Sequence, residues 1–136
     1  MISNLITEGI IGQPKIPGDK SISHRSIIIP SISNGICEIK NILKSEDVMH
    51  TINALKNMGV TIEEDGSTLL VHGKGLNSLK KPKNDIYLGN SGTSARLLTG
   101  LLSAQNFDSV LTGDNSLSKR PMKRIADPLS KMDAKI

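Results

Sequence analysis

A strong helical period of apolar positions lies near the middle of this chain. Within residues 46–58, Val48, Ile52 and Leu55 recur three or four positions apart, which places them on one face of a helix. Ser45 stands just before that stretch, where a capping hydroxyl is expected. The pattern predicts an amphipathic helix over 46–58 with its apolar face in the core.

A period of two marks the strands. Residues 35–42 alternate in this way, and Asp65-Gly66 separates two short apolar runs, a pattern typical of a β-hairpin. Pro30 predicts a kink or an early end in the first helix, and Pro128 interrupts the last helical pattern. In chain order the predicted elements are a helix at 23–33, a strand at 35–42, a helix at 46–58, strands at 60–64, 68–72 and 86–88, a helix at 91–105, a strand at 108–112 and a helix at 122–132. Interleaved helices and strands predict the α/β class with mixed sheets.

Length and charge narrow the class of partner. At 136 residues the chain has the size of one ordinary domain. Its formal net charge is +4, and residues 119–136 carry this whole excess, with six cations against two aspartates. A local excess of this kind favours an anionic partner. Tyr87 and Phe107 are the only aromatic residues, so a nucleic-acid-binding module, which stacks bases on aromatic rings, ranks low.

Cysteine usage and hydropathy predict a soluble, cytoplasmic protein. Cys37 is the single cysteine, which excludes an internal disulfide and fits a reducing compartment. No apolar run approaches the length of a membrane span, and the first four residues lack the charged start of a secretory signal. We therefore expect no membrane partner.

The stretch PGDKSISHRS, residues 17–26, gathers two cations, a histidine and several hydroxyls around a predicted turn. Lys20 supplies a point charge, Ser21 a hydroxyl donor and Arg25 a planar fork, a combination suited to a phosphate monoester. Any one such cation by itself is more often a solvated surface group. His24 is a candidate acid or base, although a local hydrogen bond at the helix start is the interpretation we favour.

The stretch LGNSGTSAR, residues 88–96, places small and hydroxylated residues between a predicted strand and a predicted helix. Free backbone N–H groups at a helix start favour an anion, and Gly92 would let a ligand approach the backbone closely. Arg96, one turn further, would reach the ligand or brace the loop. An ordinary capped helix start is the alternative interpretation. No lysine follows Gly92, so this loop is not a Walker A motif.

A third cluster follows the strand predicted at 108–112. Arg120 stands directly before Pro121. The proline restricts the backbone of Arg120 to extended geometry and so fixes the direction in which its side chain projects. The neighbouring Lys119, Lys123 and Arg124 fit either an anion-binding surface or simple solvation of the next helix.

Metal binding is not predicted. His50 and His72 have no ligand-like spacing to one another or to Cys37, which is expected to be a small buried side chain within its strand.

These three clusters, in this order, resemble one family. PGDKSISHRS, LGNSGTSARLL and GDNSLSKRPMKRIADPLSKM are similar to the N-terminal part of the 5-enolpyruvylshikimate-3-phosphate synthases, also called 3-phosphoshikimate 1-carboxyvinyltransferases. The resemblance implies a truncated enolpyruvyl-transferase-like lobe of repeated β-α-β-α-β-β units. Residues 17–136 would form about two such units, and residues 1–16 would be the segment that normally joins the other lobe. Without that lobe, residues 1–16 are expected to be loosely ordered or docked atypically.

The resemblance also implies an activity and a set of site residues. The reaction would transfer the enolpyruvyl group from phosphoenolpyruvate to the 5-hydroxyl of shikimate 3-phosphate, on the route to chorismate and the aromatic amino acids, without metal or organic cofactor. A glycine at position 92 would also leave room for the inhibitor glyphosate. By this resemblance Lys20, Ser21 and Arg25 would bind shikimate 3-phosphate, Lys20, Gly92 and Arg120 would bind phosphoenolpyruvate, and Asn90, Thr93 and Arg96 would shape the loop.

Family members are much longer than this chain, and their acid–base carboxylate and lysine lie in the later part. We therefore expect no catalytic residue in this chain and no turnover by it alone. A truncated gene product, a deliberate fragment and one part of a split enzyme completed by a separate C-terminal chain all stay open. The sister family that acts on UDP-N-acetylglucosamine ranks lower, because it typically has Lys-Asn where Lys20-Ser21 stand and a cysteine near residues 110–121.

Overall fold

Helices and strands follow one another as a helix–strand–helix–hairpin unit and then a strand–helix–strand–helix unit. The computed structural model of the protein describes residues 12–66 and 68–136. The elements are α1 (Lys20–Ser31), β1 (Asn34–Lys40), α2 (Glu46–Asn57), β2 (Thr61–Asp65), β3 (Thr68–Lys74), β4 (Ile86–Tyr87), α3 (Gly92–Leu102), β5 (Leu111–Thr112), α4 (Asn115–Ser118) and α5 (Lys123–Ser130). This order confirms the predicted α/β class.

The larger sheet has the strand order β1-β3-β2, and both of its strand pairs are antiparallel. Leu69, Val71 and Gly73 alternate along the central strand β3 and form its buried face. A Cβ atom at Gly73 would lie only 2.1 Å from the carbonyl oxygen of Pro30. Glycine therefore lets the end of α1 pack directly on the sheet, closer than any side chain would allow.

The smaller sheet consists of β4 and β5, which are parallel, with Ile86 opposite Leu111. The backbone N–H of Leu88 extends the ladder by donating to the carbonyl oxygen of Thr112 at 2.9 Å. Parallel strands need a crossover connection, and here α3 supplies it. The chain therefore passes from the carboxyl end of β4 through a short loop into the first turn of α3, which is where the candidate site lies.

Both sheets contribute to one hydrophobic core. Ile27 of α1, Leu55 of α2 and Leu98 of α3 are fully buried, and so are Val71 from the larger sheet and Leu88 beside the smaller one. The predicted apolar face of α2 is confirmed, since Val48, Ile52 and Leu55 all lie in this core. Ser45 does stand at the N-cap, but its hydroxyl makes no capping hydrogen bond, so that part of the prediction is wrong. Because the core is shared, the first turns of the three helices are held in fixed relative positions.

The first helix begins earlier than predicted. Asp19 has extended backbone geometry and its carboxylate accepts a hydrogen bond from the backbone N–H of Ile22 at 2.7 Å, so it is the N-cap of α1. Lys20 and Ser21 therefore lie in the first turn of the helix, and the prediction that they lie on the preceding turn is wrong. The helix ends at Ser31, next to Pro30, in agreement with the predicted early end.

The later elements are shorter than predicted. Helix α3 ends at Leu102, and β5 covers only Leu111–Thr112. The single-turn helix α4 was not predicted, although Asp114 caps it in the usual way, accepting a hydrogen bond from the backbone N–H of Leu117 at 2.7 Å. Helix α5 keeps Pro128 inside it and has no buried residue. These differences lie at element ends, where local signals are weakest.

The helices and the N-terminal segment bear on two remaining expectations. None of the helices within 12–66 and 68–136 has the length and apolar character required to cross a bilayer. The expectation about residues 1–16 falls mainly on residues 1–11, which lie outside the described residues.

Candidate anion-binding site

The first turn of α1 presents Lys20 at the positive end of a helix. Its ammonium group forms an ion pair with the carboxylate of Asp47, which lies in the first turn of α2. The Lys20 side chain keeps 47% of its surface exposed, whereas Asp47 keeps 22%. The predicted anion-binding cation is therefore accessible, but an internal carboxylate already balances its charge.

Ser21 and Arg25 lie on one exposed face of α1. They are four residues apart, so their side chains project from the same side of the helix. Within the part of the chain that the structure describes, neither side chain has a hydrogen-bond or ion-pair partner. Both groups are available to a ligand that approaches α1 from solvent.

The loop between β4 and α3 is built on a glycine with left-handed backbone geometry. Gly89 has a φ of 55°, and a Cβ atom there would lie 2.4 Å from Nε2 of His50. The loop then turns back, since the N–H of Ser91 donates to the carbonyl oxygen of Leu88 at 3.0 Å. Ser91 caps α3 by accepting a hydrogen bond from the N–H of Ser94 at 3.2 Å. The loop therefore contains the capped helix start that was the alternative interpretation of this stretch.

Arg120 reaches across to this loop from a separate part of the chain. Its guanidinium donates a hydrogen bond to Oδ1 of Asn90. A Cβ atom at Gly92 would lie only 2.6 Å from Nη1 of Arg120, so the guanidinium rests against the glycine that begins α3. Asn90, Gly92 and Arg120, three residues singled out from the sequence, are therefore brought together.

The structure does not bring all the predicted loop residues into this cluster. Thr93 is half-buried and Arg96 is exposed, and neither has a hydrogen-bond or ion-pair partner within residues 12–66 and 68–136. Arg96 lies one turn beyond Gly92 on α3, and its side chain is exposed.

A buried chain of polar side chains connects α1, α2 and α3. Nδ1 of His24 lies 2.9 Å from Oγ1 of Thr51 on α2, which lies 2.7 Å from Oγ of Ser94 on α3. Oγ of Ser94 lies 2.6 Å from Oγ of Ser91. His24 therefore does not make the local hydrogen bond expected from the sequence, because its partner is 27 residues away.

The electrostatic environment of His24 favours the neutral imidazole. Burial lowers the pKa of His24 below its ordinary value of 6.5, since a charged ring would lose its hydration. The carboxylate of Asp47 opposes this shift and the ammonium of Lys20 adds to it. The imidazole lies in the interior and has no exposed surface, so it is not placed to exchange protons with a ligand in solvent.

Asp47 also joins the two clusters directly. Its carboxylate pairs with Lys20, while its backbone carbonyl accepts a hydrogen bond from Oγ of Ser94 at 3.3 Å. Asp47, Thr51 and Ser94 were not singled out as site residues from the sequence. The signal for Thr51 was its place among the apolar positions of α2, where a hydroxyl needs a buried partner.

A groove of about 820 Å³ lies on another side of α3. Arg120 borders it, but Lys20 and Gly92 do not. The candidate site is therefore the surface between the first turns of α1 and α3, and not this groove. Among the described residues, histidine, cysteine, aspartate and glutamate side chains form no group of three that is placed to hold a metal ion.

Known proteins show close similarity to this chain. The family model of EPSP synthase (3-phosphoshikimate 1-carboxyvinyltransferase) matches residues 6–136. The 3-phosphoshikimate 1-carboxyvinyltransferase of Ruthia magnifica subsp. Calyptogena magnifica is 54% identical over 130 residues, which are 96% of this chain and 30% of that protein. The enzyme of the same name from Streptococcus agalactiae serotype Ia is 56% identical over 92% of this chain and 29% of its own length.

A solved structure agrees with the sequence comparison. The EPSP synthase from Acinetobacter baumannii superposes with a TM-score of 0.87 and 52% identity, over 91% of this chain and 28% of that one. The chain thus spans about 30% of the length of the curated relatives it matches. The family match covers nearly the whole chain, including all three clusters, and the protein belongs to the EPSP synthase (3-phosphoshikimate 1-carboxyvinyltransferase) family.

Proposed function

We propose that this chain provides part of the binding site for shikimate 3-phosphate and phosphoenolpyruvate in an enzyme that transfers the enolpyruvyl group between them. The main observation that supports this proposal is that α1 and α3 are linked, close to their first turns, through a residue of α2. Two consecutive hydrogen bonds, of 2.9 and 2.7 Å, link His24 of α1 through Thr51 to Ser94 of α3. This link holds the positive ends of two helices near one another, which would favour anionic ligands.

The charges on this surface suit two anionic substrates. Shikimate 3-phosphate and phosphoenolpyruvate repel one another, and fixed cations and backbone donors offset that repulsion while holding the reacting atoms together. Lys20 and Arg120 would supply cations from opposite sides. The proposed reaction needs no organic cofactor or metal, because positioning and charge stabilisation are the work assigned to these groups.

The assignment of individual residues follows from their surroundings and from family membership. Ser21 and Arg25, exposed on one face of α1, would bind the phosphate of shikimate 3-phosphate together with Lys20. Lys20 would also contact phosphoenolpyruvate. Its other contacts would be Gly92, through the open start of α3, and Arg120.

Three residues would support the phosphoenolpyruvate end of the site. Asn90 holds the Arg120 guanidinium through a hydrogen bond, so it would fix the direction of that cation. Thr93 and Arg96 would complete the loop once a ligand is present.

Turnover would need a further part of the protein. Because the chain spans about 30% of its relatives, we propose that the acid–base groups lie in the remaining part, in the same polypeptide or in a separate C-terminal chain. Exposed apolar side chains support such a neighbour: Ile22, Ile29 and Ile36 are 58%, 56% and 67% exposed on or beside a groove of about 760 Å³ between α1 and β1. On this proposal residues 17–136 form about two repeat units of one lobe. The proposal also includes a cytoplasmic location, which fits the free thiol of Cys37.

Calorimetry on the chain tests the proposal. Shikimate 3-phosphate should bind weakly to the intact chain, and Lys20→Ala and Arg25→Ala should each abolish the heat. Lys40→Ala is the matched control, because Lys40 is an exposed lysine on β1 that pairs with Glu38 at 3.1 Å. Absence of binding by a chain whose fold circular dichroism confirms would refute a preformed site. Steady turnover by the chain alone would refute the assignment of the acid–base groups to another part.

A further inference from the structure

The buried chain from His24 to Ser91 consists entirely of side chains without exposed surface. His24, Thr51, Ser91 and Ser94 each have a relative exposure of 0%. Polar groups removed from water in this way cost free energy unless each one finds a partner. The chain of contacts, 2.9, 2.7 and 2.6 Å long, gives a partner to Nδ1 of His24 and to the three hydroxyls, across three different helices.

One arrangement of hydrogens satisfies every hydroxyl in this chain and also makes the hydrogen bond from Ser94 to the carbonyl oxygen of Asp47. The reverse order, from Ser94 through Thr51 to Nδ1 of His24, loses that bond. The backbone N–H of Ser94 already donates to Oγ of Ser91, so the Ser91 hydroxyl is free to donate to Oγ of Ser94. Ser94 then donates to the carbonyl oxygen of Asp47, and Thr51 donates to Ser94. Oγ1 of Thr51 is left to accept, which requires that Nδ1 of His24 carries the proton.

The other imidazole nitrogen agrees with this assignment. Nε2 of His24 is buried and has no hydrogen-bond partner among the described residues. A bare lone pair in that position costs less than an N–H group without an acceptor. A second proton would create such an N–H group, and burial lowers the pKa of His24, so the ring stays neutral.

The two ends of the hydrogen-bonded chain adjoin the two proposed substrate contacts. His24 lies one helical turn after Lys20, and Ser91 directly precedes Gly92. The charged groups that face His24 are Asp47 and Lys20. Since Asp47 pairs with Lys20 and also accepts from Ser94, displacement of any one member moves both ends.

We propose that His24 is a positioning residue, which in its neutral Nδ1-protonated form sets the start of α1 against the start of α3. Through Thr51 it fixes the distance between the shikimate 3-phosphate contacts on α1 and the phosphoenolpyruvate contacts at Gly92. The inference rests on the proposed function for its ligands, but its structural core is independent of them.

A ligand-free NMR experiment tests the structural core. In the wild-type chain the ¹⁵N shifts of the His24 ring should show a single Nδ1-protonated tautomer. Ser94→Ala should shift the amide signals of Lys20 and Ser21, although it lies on another helix. Ser26→Ala is the control, because Ser26 bonds only its own helix, at Ser23 O and 3.0 Å. Shifts confined to α3 and its sequence neighbours, or an Nε2-protonated ring, would overturn the inference.

Ligand titrations separate the inference from the proposed function. His24→Leu should weaken the binding of phosphoenolpyruvate and of shikimate 3-phosphate by about tenfold each. A loss of this size is expected when one buried hydrogen bond is removed. His24→Asn should restore binding, since its amide can reach the position of Nδ1. If His24→Leu does not fold, Thr51→Val, which keeps side-chain size, replaces it. Wild-type affinity in His24→Leu or in Thr51→Val overturns the inference alone. No binding by the wild-type chain overturns the proposed function, and the NMR experiment then decides about His24.

Discussion

The ammonium group of Lys20 is paired with the carboxylate of Asp47, so two charges of opposite sign connect the first turns of α1 and α2. The carboxylate of Asp47 thereby pairs with the ammonium group that the sequence motif assigned to a phosphate ligand. Any anion that binds Lys20 must compete with Asp47 or share the ammonium with it. Because the Lys20 side chain is about half exposed, solvent screens this pair and the competition is modest.

Asp47→Asn should strengthen phosphoenolpyruvate binding by up to about fivefold, because an exposed pair of this kind is worth at most about 1 kcal/mol. Calorimetry at low ionic strength measures the change. The control is Glu46→Gln, which removes a neighbouring carboxylate that is 90% exposed and lies 3.8 Å from Nε2 of His50. An equal gain in both variants would show that net charge, and not the Lys20 pair, is responsible.

Gly92→Ala should weaken phosphoenolpyruvate binding by displacing Arg120. The new Cβ would lie 2.6 Å from Nη1 of Arg120, and the flexible guanidinium would move away and lose Asn90. Thermal unfolding should change little, because a side-chain end can give way without loss of fold.

A double-mutant cycle checks this mechanism. In the Arg120→Ala background the additional alanine at position 92 should cost less affinity than it does in the wild-type chain, since the guanidinium it would displace is gone. Full additivity would contradict displacement. Gly100→Ala is the control within α3, because a Cβ there meets nothing within 4 Å, and it should stabilise the chain by about 0.5–1 kcal/mol.

Gly89→Ala should destabilise the chain for two reasons. The φ of 55° costs about 1–2 kcal/mol for an alanine, and the added Cβ would approach Nε2 of His50 to 2.4 Å. Gly66→Ala isolates the first cost, since Gly66 has a φ of 58° and open space around the Cβ position. Urea unfolding should show the larger loss at position 89, and His50→Ala should recover the difference. Equal losses at 66 and 89 would contradict the steric contribution.

Acid should destabilise the chain through His24. Burial lowers the pKa of His24 in the folded state, so between that pKa and 6.5 the unfolded chain binds more protons than the folded one. The contribution of His24 to stability is therefore complete above pH 6.5 and is lost as the pH falls through the folded pKa. Urea midpoints measured between pH 7.5 and pH 5 should fall less steeply in His24→Asn than in the wild-type chain. His72→Asn is the control, and a slope unchanged by His24→Asn would contradict the assignment.

Local patterns predicted most elements of the fold. The helix predicted at 46–58 is observed as Glu46–Asn57, and Asp65-Gly66 does connect the two strands of a hairpin. These signals succeed because hydrophobic spacing and turn residues act within a few positions of the chain. The start of α1 was missed because Asp19 was not recognised as its cap.

Sequence by itself also determined which side chains carry the candidate chemistry. Lys20, Gly92 and Arg120 were selected from three separate motifs, and the contact of Arg120 with Asn90 and Gly92 agrees with that selection. The sequence did not predict the partners of these residues. The pairing of Lys20 with Asp47 and of His24 with Thr51 joins residues 27 positions apart, on different helices.

Such pairings depend on how α1, α2 and α3 pack around the shared core, and many hydroxyls along the chain could have met the same imidazole. A residue pattern records which face of a helix is buried, because that requires only apolar spacing. It does not record which polar group lies opposite, because that is set by the relative positions of whole helices. The sequence thus determined the elements and the candidate binding groups, and the tertiary structure decided that Lys20 pairs with Asp47 and that His24 bonds to Thr51.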